Sequence, residues 1–241
     1  DRPMSWACNR DNYTSLFRPR KLPSVSQFCR RVQGSRFQMI LQAVYKELSR
    51  SDEQTVLSFI DGRPLPVGAC SKDPQARPGR VYGGFARGYK LHAFTANDGR
   101  INAWSVTALN VSEKKVAEEL IRHVSPKGLV FADGNYDSYK LYDCVATYGG
   151  HLLTPNRTGA GLGHRRQSPH RLAAIAAWSG MAGYVYKERS SIERTFGNQS
   201  SYGGGLSPLP AWVRGLPRVR RWVGAKLIFY HARLALRRAT A

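Results

Sequence analysis

Val56-Leu57-Ser58-Phe59-Ile60-Asp61 and Leu129-Val130-Phe131-Ala132-Asp133 decide the fold. Each is a short apolar run, rich in strand-forming residues, that stops on an aspartate. The lengths suit strands and are too short for helices. If the two strands lie side by side and parallel, both aspartates sit at their C-terminal ends. That is the edge of an open α/β sheet where ligands bind.

The chain around these runs supplies the rest of such a sheet. Gly88–Ala96 and Ile101–Leu109 are β-prone and flank Asn97-Asp98-Gly99-Arg100, a strong hairpin turn. Pro64 to Gly84 is rich in Pro, Gly and basic residues and reads as a long loop. Ser112 is an N-cap residue for a helix with Val116, Leu120, Ile121 and Val124 on one face, ended by Pro126-Lys127-Gly128. Tyr136–Tyr148 predicts a second helix, stopped by Gly149-Gly150, and His151–Thr154 a short strand. A Gly- and Arg-rich loop over 156–169, a short helix at Ala173–Ala177 and a helical stretch Tyr186–Phe196 follow. The segment 200–205 breaks that stretch before a final Arg-studded helix with Trp222, Leu227, Phe229, Tyr230 and Leu234. Ahead of the sheet, residues 1–22 are polar and interrupted by Pro3 and Pro19. Residues 24–50 read as helical, with Val32, Phe37, Ile40, Leu41, Val44, Tyr45 and Leu48 at helical spacing. Three strands, then alternating helices and strands, is the element order of the ribonuclease H-like fold. The expected architecture is α/β: a mixed five-stranded sheet flanked by helices over residues 54–241, after a small helical region over 1–53.

The 241 residues are 42% hydrophobic and 22% charged, enough for one large domain with short appendages or two small ones. No apolar stretch approaches the ~20 residues of a membrane span, and Asp1-Arg2-Pro3-Met4-Ser5-Trp6 does not read as a secretory signal. Net charge is +21 and unevenly spread. Residues 1–50 hold 10 Lys/Arg against 3 Asp/Glu, residues 51–150 hold 12 against 11, and residues 151–241 hold 15 against 2. A nearly neutral middle, carrying both aspartates, is thus flanked by basic segments, the profile of a nucleic-acid binder. Cys8, Cys29, Cys70 and Cys144 include no C-x-x-C pair and read as reduced thiols. His164 and His170 lack a second ligand pair, which argues against a zinc site. Trp212 and Trp222 read as core residues.

Crowded carboxylates repel one another, and a divalent cation makes such a cluster favourable. Asp61 and Asp133 need a third acid, and the helix Tyr186–Phe196 offers Glu188 and Glu193. Spacing favours Glu193, because Tyr186, Arg189, Glu193, Phe196 and Ser200 recur at steps of three or four. Arg189 lies one turn before Glu193 and can pair with it or with a phosphate. Three such acids can hold two cations about 3.5–4 Å apart, a device for cutting and rejoining phosphodiesters.

Five segments carry a resemblance. In order they are Phe59-Ile60-Asp61-Gly62-Arg63-Pro64-Leu65-Pro66-Val67, Arg87-Gly88-Tyr89-Lys90-Leu91-His92, Ala132-Asp133-Gly134-Asn135-Tyr136-Asp137-Ser138, Leu152-Leu153-Thr154-Pro155-Asn156-Arg157, and Tyr186 with Arg189 and Glu193. They resemble the D-x-x-P, G-Y-K-L-H, D-x-x-Y-x-S, T-P-x-R and Y-x2-R-x3-E motifs of the DDE transposases of bacterial insertion sequences. The family's lysine seven positions after the glutamate is Ser200 here, so that either a phosphate contact is absent or Arg194 replaces it. The resemblance implies that Asp61, Asp133 and Glu193 bind two Mg2+ ions, with Mn2+ able to substitute. Tyr186 and Arg189 then orient Glu193 and the scissile phosphate. It also implies hydrolysis at a transposon end, direct transesterification into target DNA, a homodimer on double-stranded DNA, and work in the bacterial cytoplasm at the nucleoid. Lys90, His92, Arg165, Arg166, Arg218, Arg220 and Arg221 are expected DNA contacts, the arginines through phosphates. A metal-dependent nuclease without strand transfer and a non-catalytic DNA-binding relic are the alternative functions.

Overall fold

The structure is a computed structural model that describes residues 3–14, 17–50, 55–155, 168–178, 180, 185–201, 206 and 209–240. The N-terminal region holds helices α1 (Met4–Ala7), α2 (Val25–Gln33) and α3 (Ser35–Ser49). The single helical stretch expected over 24–50 is therefore two helices. Gly34 divides them by taking extended backbone, φ −72° and ψ 154°, as the end cap of one and the start cap of the next. Ser24 opens α2 in a reciprocal capping box with Gln27.

Strands β1 (Leu57–Pro66), β2 (Arg77–Val81), β3 (Gly84–Ala96) and β4 (Ile101–Ala108) follow. Then come α4 (Glu113–Val124), β5 (Leu129–Ala132), a 3-10 turn Gly134–Tyr136, α5 (Tyr139–Thr147) and β6 (His151–Leu153). Helix α6 (Pro169–Ala177), a 3-10 turn Tyr186–Arg189, α7 (Ser190–Ser201) and α8 (Leu216–Ala239) complete the order. The sheet reads β4-β3-β1-β5-β6, with β2 paired to the N-terminal part of β3. Pairing is antiparallel among β1 to β4 and parallel from β1 to β5 to β6. The five expected strands are present, and β2 adds a sixth where a loop was expected. Its sequence, Arg77-Pro78-Gly79-Arg80-Val81, has no apolar pattern to announce it. It is a strand because β3 runs long enough to offer a partner, across a two-residue turn with Gly83 at φ 79°.

Aromatic and aliphatic side chains of β1, β3 and β5 fill the centre. Phe59 and Phe131, on neighbouring parallel strands, stack at 5.8 Å with planes 26° apart. Close entry of β5 beside β1 requires a glycine: a Cβ on Gly128 would lie 2.1 Å from the Val56 carbonyl oxygen. Helix α4 buries Val116, Ala117, Leu120 and Ile121, the face its spacing predicts. Helix α8 buries Val219, Trp222, Val223 and Leu227 but leaves Phe229 exposed. Of the two tryptophans assigned to the core, Trp222 is there and Trp212 is 52% exposed, on the loop before α8.

Two polar ties matter for packing. The Tyr45 hydroxyl of α3 donates to the Ile101 carbonyl, and its ring meets Trp104 and His231 edge-on. Buried Asp73 accepts from the Tyr89 hydroxyl at 2.7 Å, the Gly215 amide at 2.8 Å and the Gln75 amide at 3.0 Å, which pins the β1–β2 connection to the start of α8. The four thiols form no disulfide. Among the described residues, no helix is long and apolar enough to cross a membrane.

Candidate active site

Parallel pairing of β1 with β5 runs from Leu57 opposite Leu129 to Ile60 opposite Ala132. Asp61 and Asp133 are the next residue on each strand. Adjacent strands lie about 4.8 Å apart, and residues two apart share a face. Both aspartates therefore inherit the face of the stacked Phe59 and Phe131. The strands then diverge in role. β5 ends, and Asp133 caps the 3-10 turn, its Oδ1 accepting from the Asn135 amide at 2.8 Å and its Oδ2 from the Asn135 side chain at 3.2 Å. β1 continues to Pro66, and Asp61 Oδ1 accepts from the Gly62 amide at 2.8 Å.

Tyr186 and Arg189 pack over this face, with Glu193 beyond them. The Tyr186 ring packs on Phe131 at 6.2 Å and on Trp178 at 4.9 Å. Arg189 Nη2 reaches Asp61 Oδ2 at 3.4 Å. Its Nη1 lies 3.3 Å from the Tyr186 hydroxyl and 3.9 Å from Glu193 Oε1. The predicted single helix is a 3-10 turn carrying Tyr186 and Arg189, followed by α7 carrying Glu193. Buried Ile192 and Phe196 seat α7, and Arg63 Nη1 donates to the Phe196 carbonyl at 2.6 Å, tying α7 to β1 two residues past Asp61. The Glu193 side chain itself is 63% exposed. The structure thus brings Asp61 and Asp133 together and links Glu193 to them through Arg189. Among the described residues no three acids stand close enough to enclose a metal ion.

The electrostatics mark the spot. The Asp61 carboxyl is pushed up to about 6, chiefly by burial and in smaller part by Asp133 and Glu113, against the opposing pull of Arg189 and the Gly62 amide. Burial works against the Arg189 charge, yet Asp61, Tyr186 and Asp133 hold its guanidinium above the usual value. One guanidinium is therefore the counter-charge for a concentrated patch of carboxylate. A hard divalent cation fits such an all-oxygen donor set.

One residue near this edge escaped the sequence reading, and a second stood in the D-x-x-Y-x-S segment without an assigned role. Glu113, in the first turn of α4, pairs with Lys90 and bears on Asp61 electrostatically. Its position after the N-cap Ser112 was its one signal, and first-turn acids are ordinary dipole partners. Tyr136 closes the turn after Asp133, is 1% exposed, and its hydroxyl lacks a partner among the described residues.

The expected DNA contacts divide. His92 is a correction: it is 1% exposed, with Nε2 2.9 Å from the Thr107 hydroxyl, so it offers DNA no surface. Lys90 lies largely covered in its pair with Glu113. Arg194 on α7 and Arg218 and Arg220 on α8 are exposed, and Arg221 is half-buried. Arg218 donates to the Trp212 carbonyl at 2.9 Å and Arg220 to the Val106 carbonyl at 3.2 Å. Arg165, Arg166, and the side chains of Glu188 and Ser200, lie outside the described residues.

Comparison with known proteins identifies the family through one model. No curated protein matches the chain. Among solved structures, the piggyBac transposase in a synaptic complex with hairpin DNA aligns at TM-score 0.50 and 10% identity, over 90% of this chain and 56% of that one. The chain therefore spans little more than half of that transposase. The Mos1 transposase in a paired-end complex with its left transposon end aligns at TM-score 0.31 and 11% identity, over 84% and 61%. The model of the transposase DDE domain matches residues 52–208, which include both aspartates, Arg189 and Glu193, and the chain belongs to that family.

Proposed function

We propose that the chain is the catalytic part of a DNA transposase, which cuts at transposon ends and joins the freed 3′-hydroxyl to target DNA. The observation that carries this reading is the level placement of Asp61 and Asp133 on adjacent parallel strands with Arg189 between them and Glu193. Asp61 and Asp133, completed by Glu193, would hold two Mg2+ ions, or Mn2+ in their place. Such a pair, when bound, supplies Lewis-acid activation of the attacking and leaving oxygens.

The chain's own groups do the remaining work. Asp61 and Asp133 directly follow the paired Ile60 and Ala132, which supports a shared site that needs no motion of the strands. Glu193 is carried by α7, and closing on the aspartates displaces the Arg189 guanidinium from Asp61. Released, Arg189 is placed to meet a phosphate oxygen, with Tyr186 as its support. Arg194, Arg218, Arg220 and Arg221 hold the DNA backbone without reading bases. A homodimer on paired ends and work at the bacterial nucleoid follow from the family resemblance.

The test uses DNA bearing the ends of the element that encodes the chain, with a target plasmid and Mg2+ or Mn2+. Asp61→Asn, Asp133→Asn and Glu193→Gln should each abolish cleavage and leave DNA affinity within about twofold. Cleavage without joined product would make the protein a nuclease. Full activity of Glu193→Gln would remove Glu193 from the site.

A further inference from the structure

Buried polar atoms normally find a hydrogen-bond partner, and each exception calls for a physical reason. Two of the exceptions among the described residues belong to the edge that carries Asp61 and Asp133: the Tyr136 hydroxyl and Arg189 Nε. Arg189 already engages Asp61, Tyr186 and Glu193 through its other nitrogens. Tyr136 is the more telling case. Its backbone amide donates to the Asp133 carbonyl at 3.0 Å, so the ring is fixed to the second aspartate by one tight turn. The ring is enclosed where that turn meets the first turn of α4, and Glu113, Asp61 and Asp133 all act on its phenol. A proton donor sits within the field of three carboxylates and bonds to none of them.

We propose that the Tyr136 hydroxyl is a positioning group for the divalent cation, hydrogen-bonding to the water shell of an ion held by Asp61 and Asp133; this rests on the metal-dependent reading above. Mg2+ sheds water reluctantly and keeps several molecules when only two or three carboxylates bind it. Those waters need acceptors, and a phenol oxygen both accepts and donates. It can accept a hydrogen bond from a shell water and donate one to a carboxylate oxygen, which leaves neither group unsatisfied. Burial also keeps the phenol neutral and so able to donate. The hydroxyl that has no use in the metal-free fold thereby acquires one when the site fills. Partners behind the direct ligands commonly change metal affinity by 10–100-fold.

The experiment is Tyr136→Phe, which removes one oxygen and nothing else. Free Mn2+ is followed by electron paramagnetic resonance during titration of the full chain without DNA, and thermal melting is measured with and without Mn2+. Mn2+ should bind about tenfold more weakly to the variant. Its metal-free melting temperature should equal or exceed that of the wild type, because the lost hydroxyl had no partner. DNA affinity in chelator should not change, and cleavage should recover at high Mn2+. Equal Mn2+ affinity in both proteins overturns the proposal, and so does a lower metal-free melting temperature, which would mean a structural hydrogen bond. A wild-type protein that binds no Mn2+ at all would overturn the metal-dependent reading itself, a result distinct from either.

Discussion

Replacing Arg63 by Met should slow catalysis without touching the acids. Arg63 lies two residues beyond Asp61, and its guanidinium donates to the Phe196 carbonyl at 2.6 Å, one turn after Glu193 on α7. Met keeps most of the apolar stem and removes the charge and the bond. A hydrogen bond with one charged partner is worth about 1.5–3 kcal/mol. The Phe196 carbonyl keeps its place in a helix, so the lower end applies, about 1.5 kcal/mol. For a chain of this size that lowers the melting temperature by about 3–6 °C. If the bond holds α7 against β1, the same energy makes the seated helix about tenfold rarer, at 1.4 kcal/mol per factor of ten. Single-turnover cleavage should fall by about that factor while DNA binding, read by fluorescence anisotropy, stays put. A cycle of Arg63→Met and Glu193→Gln, scored by Mn2+ affinity, isolates the coupling. If Arg63 acts by seating Glu193, the double variant binds Mn2+ no worse than Glu193→Gln alone. Additive losses would refute the coupling, and an unchanged cleavage rate with a lowered melting temperature would reduce Arg63 to a structural residue.

Asp73→Ala should cost about 2–4 kcal/mol in urea unfolding, because it strands the Tyr89 hydroxyl and the Gly215 amide in a buried setting. Burial opposes the Asp73 charge, but the Gly215, Tyr89 and Gln75 bonds outweigh it and hold the carboxyl below its usual value. That contribution is complete above the unfolded aspartate value near 3.9 and is lost as pH falls through the lower folded value. His92 and His231 act earlier on the same scale. Burial lowers both to about 4, so between about 6.5 and 4 the unfolded chain takes up protons that the folded chain refuses. Stability should drop by about 1.4 kcal/mol per histidine per pH unit in that window. Urea midpoints at pH 7.5 and 5.0 measure it, and equal midpoints would contradict neutral burial of both rings.

Legibility in the sequence followed how locally each feature was encoded. β1, β3, β4, β5 and α4 each carry their own apolar pattern and turn chemistry, so they were readable. β2 has no pattern of its own and exists through pairing with β3, which no local window reports. Pro64 looked like a strand breaker, but β5 stops at Ala132, so from Asp61 to Pro66 that side of β1 has no β5 ladder to interrupt. Asp61 and Asp133 were legible together because strand ends and register determine their position. The place of Glu193 depends on how a 3-10 turn and α7 pack on the sheet, and its residual distance from the aspartates is tertiary information. His92 sits in a motif and was assigned to DNA on that basis, whereas its position in β3 buries it beside Thr107 of β4. Glu113 reached the site through folding alone, from the first turn of α4, whereas Tyr136 stood in the D-x-x-Y-x-S segment but carried no assigned role.

The contact of Tyr45 with the β3–β4 turn bears on how such proteins can be recombined. Its hydroxyl meets Ile101, its ring meets Trp104 and His231, and Arg100 reaches back to the Arg50 carbonyl at 3.0 Å. The N-terminal helices are thus grafted onto the hairpin and α8 rather than strung before them. A chimera that exchanges residues 1–50 for a foreign recognition module would unroof that hairpin. Only donors that bring an equivalent aromatic for the slot occupied by Tyr45 should yield a well-behaved hybrid.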